Sequence, residues 1–208
     1  MRSALDLDWC SSGRWLGPLA AALVLAAAAP ATAEVYLSQQ EAIALAFPAA
    51  DRVERTNLIL TAGQVRKIRE LARAPVKSKI VRVYQGFRGD QLQGHAFIDV
   101  HRVRTLSEAL MIVLDPAGSV RSVRLLAFHE PREYAPHERW LAQFRGKSLA
   151  QELRLRRDVQ GISGSTLSSR AVTRSIRLAL AYHQVLLGGA APRPAPNPIE
   201  SAAEPAKE

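Results

Sequence analysis

Past residue 33 the chain has no cysteine. The only thiol in its 208 residues is Cys10, which lies in a segment expected to be removed. A thiol-free product cannot hold an iron–sulfur cluster by thiolates, attach a c-type haem or run dithiol exchange, so any redox cofactor must be held another way. Long apolar runs are missing too: the longest, Trp15–Ala29, falls short of the roughly 20 residues needed to cross the hydrocarbon core. The sequence shows no internal repeat and no cluster of cations, so its net charge of +9 comes from scattered Lys and Arg. Together with export, that scatter argues against nucleic acid as a partner and for anionic membrane surfaces or acidic redox proteins.

Arg14, the apolar run and then Ala31-Thr32-Ala33 resemble a signal peptide with its cleavage site, which places residues 1–33 in the leader and starts the mature chain near Glu34. The alternative is a leader retained as an anchor. Either way the expected location is exported, periplasmic or bound to the outer face of the inner membrane. Residues 188–208 are mostly Gly, Ala, Pro and charged residues with little to bury, and read as a disordered tail. Between them, 34–187 has the size of one domain.

That domain opens with two capping boxes, Ser38-Gln39-Gln40-Glu41 and Thr61-Ala62-Gly63-Gln64. The first starts a helix that runs to Phe47 before Pro48. The second starts one that presents Val65, Ile68 and Leu71 and ends before Pro75. The period then changes, with β-rich runs at Ile80–Tyr84, Ala96–Val100, Leu110–Leu114 and Val120–Phe128. Asp115-Pro116-Ala117-Gly118 fits a type I turn, and such short linkers predict antiparallel hairpins. A short helix over Pro136–Phe144, capped by Gly146, precedes a long one from Thr166 to Leu187. In the long helix Leu167, Ala171, Leu178, Tyr182 and Val185 share the apolar face, and Arg170, Arg174 and Arg177 point elsewhere. The resulting fold class is α+β, a single domain with an antiparallel sheet flanked by N- and C-terminal helices.

Ser163-Gly164-Ser165-Thr166 stands where a loop turns into the last helix. The first amides of a helix have no intrahelical partner and sit at the positive end of its dipole, so a phosphate is stabilised there. Gly164 permits close backbone approach, and Arg170, one turn in, can add a charged hydrogen bond. An ordinary N-cap with spare hydroxyls is the commoner meaning of such a segment. With its continuation Leu-Ser-Ser-Arg-Ala-Val, however, it resembles the flavinylation segment of the FMN-binding domain family, which includes periplasmic flavin subunits of sodium-pumping NADH:quinone reductases and Rnf-type complexes. The likeness is strongest over 118–182. It takes in the glycine turn, strand and His129-Glu130 stretch, and then Trp140 to Lys147.

The resemblance implies covalent FMN, attached through its phosphate to Thr166. Ser163, Gly164, Ser165, Leu167 and Arg170 would surround the link, with His129, Glu130 and Trp140 near the flavin. It also implies a flavin transferase that loads FMN, a membrane or periplasmic electron donor and acceptor, and an electron-transfer role rather than that of a stand-alone enzyme. Gln160 occupies the place where the family commonly has an acidic residue. The alternative is therefore a flavin-free domain acting as a nonredox binding or assembly module. Tyr134 and Trp140 could stack on the flavin or serve the core. His129-Glu130-Pro131 lacks the second histidine of a zinc-protease helix, so no metal site is expected, and without a Gly-x-Ser-x-Gly elbow no serine nucleophile is expected either.

Overall fold

The computed structural model describes residues 34–188, all within one compact unit. The expected leader and the tail beyond Gly188 lie outside the described residues. The elements run β1 (Glu34–Val35), α1 (Gln39–Ala46), β2 (Arg52–Ile59), α2 (Ala62–Ala72), β3 (Ile80–Arg88), β4 (Gln91–Arg102), β5 (Ser107–Leu114), β6 (Val120–Phe128), α3 (Glu138–Leu141) and α4 (Thr166–Tyr182). The strands form one sheet in the order β1-β6-β5-β4-β3-β2, antiparallel throughout. This is the α+β architecture expected from the sequence.

Both capping boxes form. The Ser38 and Thr61 hydroxyls accept from the amides of Glu41 and Gln64, whose side chains accept from the cap amides in return. Between Leu114 and Val120, Gly118 donates to the Asp115 carbonyl at 3.0 Å with φ +86°, closing the expected turn. Two apolar layers cover the sheet. On one face α2, α3 and α4 pack Ile68, Trp140, Phe144, Val172 and Ile176 against Val83, Phe97 and Ile112. On the other, α1 sets Ala42, Ala46 and Phe47 against Tyr84, Met111 and Leu126.

The structure adds and corrects elements. Strand β2 was not expected, because its residues alternate with charge in the manner of an edge strand. The short helix starts at Glu138, where the His137 ring accepts from the Trp140 amide, and a 3-10 turn continues it over Ala142–Phe144. Leu167 does not join the apolar face of α4. It is half exposed, since the first turn overhangs the sheet end. Arg177 does not point outward either. It is buried and donates to the carbonyls of Ala72, Leu71 and Glu152, which adds donors for the last carbonyls of α2 beside its left-handed C-cap at Arg73.

Candidate functional site

The directions of the strands decide what meets α4 at its start. The β4–β5 turn, the end of β6 and the beginning of α4 all fall at one end of the sheet. Between them is a cavity of about 370 Å³, within the range of small-molecule sites. Gly164, Ser165, Thr166, Leu167 and Ser168 form one wall. Val103, Arg104 and Thr105 form a second, and Glu130, Pro131 and Tyr134 a third.

The loop that delivers Thr166 is held by its own hydroxyls. Ser169 Oγ donates to the Ser165 carbonyl at 2.9 Å and accepts from the Ile162 amide at 3.0 Å, while the Ser165 amide donates to the Ile162 carbonyl at 3.1 Å. Ser165 is buried at the N-cap position, and its hydroxyl donates to the Glu133 carbonyl, so no side chain caps the helix. The first-turn amides are left for an external acceptor, which is the condition for an anion site at a helix start. Gly164 reaches this geometry with φ +78°, a backbone region costly for residues with a Cβ. Thr166, the first helical residue, is exposed on the cavity wall.

Glu130, on the third wall, holds the second in place. Its Oε1 accepts from the amides of Thr105 and Leu106 at 2.8 Å and of Arg104 at 3.3 Å, and these bonds, led by that of Leu106, hold its carboxyl below the ordinary range. Next to it His129 Nδ1 donates to the Ser107 carbonyl at 3.0 Å. His129 and Glu130 together therefore clamp the β4–β5 turn. Trp140 belongs to the core: its ring stacks edge-on against Phe144 and its indole N–H donates to the Gln160 carbonyl at 2.7 Å. Of the two aromatic candidates, Tyr134 lines the cavity. Ser163 and Arg170 are exposed nearby and do not line it. Position 160 is used for its main chain, which the Trp140 indole and the Gln143 amide side chain fasten in place.

Sequence reasoning missed a buried polar group below this end of the sheet. His101 lies between Asp99 Oδ2 at 2.9 Å and Glu108 Oε2 at 3.1 Å, and Ser175 of α4 bonds to Asp99. Burial opposes its charge, yet the two carboxylates prevail and raise the imidazole to about 9. The available signal was two polar residues, Asp99 and His101, on the alternating face of β4 that otherwise carries Phe97. Among the described residues no three His, Cys, Asp or Glu cluster in a way that could hold a metal ion.

The sequence model of one family, the FMN-binding domain, matches residues 108–181, a span running from β5 through nearly all of α4. No curated protein matches the chain. Among solved structures, NqrC from Shewanella oneidensis is similar at 15% identity with a TM-score of 0.47, over 65% of this chain and 82% of that one.

Proposed function

We propose, from the premise that residues 108–181 form an FMN-binding domain, that the protein is an exported electron carrier with FMN esterified through its phosphate to Thr166. The observation that supports this most is the placement of Thr166: an exposed hydroxyl at an uncapped helix start, on the wall of a cavity of ligand size. The residues present suit the cofactor. First-turn amides of α4 and the Arg104 guanidinium are there for the phosphate, and Tyr134, Leu167, Val103 and Pro131 offer a largely apolar wall to the ring system. Bound there, FMN supplies electron acceptance and donation, while the chain's part is to fix the ring, limit its contact with water and leave an edge for partners.

A covalent link also suits a protein working away from the cytoplasmic flavin pool, because a dissociated cofactor could not be regained by mass action. A flavin transferase loads the cofactor, and a membrane or periplasmic donor and acceptor complete the chain. The test is a mass measurement after co-expression with such a transferase. The wild type gains one FMN less water and turns yellow, and Thr166→Ala gains nothing. A colourless, unmodified wild type would overturn the reading in favour of a flavin-free assembly module.

A further inference from the structure

The exposed apolar side chains are not spread evenly. Of the eight large ones that stand exposed among the described residues, Ile59, Ile80, Val100, Leu106, Tyr134 and Leu167 all lie at the sheet end that carries the cavity. Leu106, Tyr134 and Leu167 surround the cavity mouth or the turn beside it. Ile59, Ile80 and Val100 form a separate group at 78%, 59% and 66% exposure. Ile59 and Ile80 face each other across β2 and β3, and Ile80 and Val100 border one slot of about 230 Å³. At that slot the β3–β4 ladder has already stopped, since its last pair in this direction is Tyr84 with Ala96.

Around these aliphatics stand Lys77, Lys79, Arg82, Arg102 and Arg104, all exposed. The acids at this end offer little to balance them. Asp99 is engaged by His101 and Ser175 beside Arg174, Glu108 is fully buried, and Glu130 is occupied by turn amides. Glu133, on the 3-10 turn, is exposed there, and Glu34 begins β1 at the same end, paired with Phe128 at the end of β6.

We propose that this end of the sheet docks on an anionic phospholipid bilayer, with Ile59, Ile80 and Val100 entering the headgroup–acyl boundary and Lys77, Lys79 and Arg102 lying against lipid phosphates. Separate branched aliphatics that protrude between long-stemmed cations suit a fluid surface, which demands no matching shape. A specific protein partner would require roughly 800 Å² of complementary surface per side. The proposal is independent of flavin, though it would hold the cavity mouth near the membrane.

The experiment uses the full chain with Cys10→Ser, bearing an environment-sensitive fluorophore at Ile80→Cys, Val100→Cys or, at the opposite end, Asp90→Cys. Vesicles of phosphatidylcholine with one-third phosphatidylglycerol should raise emission several-fold and shift it to the blue at positions 80 and 100, with no change at 90. Pure phosphatidylcholine vesicles, or about 0.5 M salt, should remove the response. Lys77→Gln/Lys79→Gln/Arg102→Gln in the Val100→Cys reporter should remove it too, while Thr166→Ala leaves it intact, which separates this outcome from failure of the flavin reading. Silence at 80 and 100, an equal response at 90, or the same response to soluble polyglutamate, which would indicate an acidic protein partner, overturns the proposal.

Discussion

At the scale of single residues, the site depends on atoms that do structural work one step away from the cavity. Gly164 is the clearest case. A Cβ built there meets nothing within 4 Å, so a substitution suffers from backbone strain alone, at φ +78°. Gly164→Ala should therefore cost about 1–2 kcal/mol of unfolding free energy, read from urea denaturation, without a packing clash. Because the same φ orients Ser165 and Thr166, the fraction of chains gaining the FMN mass should fall in parallel. An unchanged stability would mean that the loop is not held in this conformation. The two aromatic candidates teach a related lesson. Sequence let either Tyr134 or Trp140 stack on the flavin and favoured Trp140 by resemblance, and what separated them is a partner distant in the chain, the Gln160 carbonyl that takes the Trp140 indole N–H into the core. No local pattern carries that information.

At the scale of elements, the helices that begin with a hydroxyl and a Glu or Gln three residues on were legible because capping is local chemistry. Strand β2 was not, since an edge strand with alternating charge has the pattern of a polar loop. The face of α4 was legible in its middle and not at its ends. Leu167 extends past the sheet, and Arg177 is drawn inward by carbonyls that another helix leaves open. Arg177 is 9% exposed and donates to Leu71, Ala72 and Glu152 carbonyls. Burial and the nearby cations Arg73 and Arg154 lower its pKa, a cost which those three hydrogen bonds offset. Arg177→Met keeps much of the stem but leaves buried carbonyls without donors, so it should destabilise the fold by about 2–4 kcal/mol. Arg170→Met, on the exposed side of the same helix, should stay within about 0.5 kcal/mol. Equal midpoints for the two in urea would show that the Arg177 bonds contribute nothing.

At the scale of the whole molecule, two buried histidines at opposite ends of the β4 face give stability a pH dependence of opposite sign. His95 packs edge-on against His183 at 4.9 Å near the Asp115 turn, and burial, with repulsion from His183, lowers it to about 4. Between 6.5 and 4 the unfolded chain binds a proton at this position that the native state refuses, so stability present above 6.5 is lost as pH falls. His183, lowered mainly by burial, acts in the same direction. His101 is raised to about 9 by Asp99 and Glu108 against the cost of burial, so between 6.5 and 9 the native state keeps a proton that the unfolded chain has released. Its contribution is complete below 6.5 and disappears as pH rises through 9. Glu108, raised by burial, also favours the protonated native state and so opposes His95 on the acid side. Each histidine contributes on the order of 3 kcal/mol, since each pH unit between its native value and 6.5 is worth about 1.4 kcal/mol. Unfolding free energy measured by urea from pH 4 to 10 should therefore peak near neutrality. His95→Gln should flatten the acid limb and leave the alkaline one, and His101→Gln should do the reverse. If both variants kept the wild-type curvature, the protonation states assigned to the two ends of this strand would be wrong.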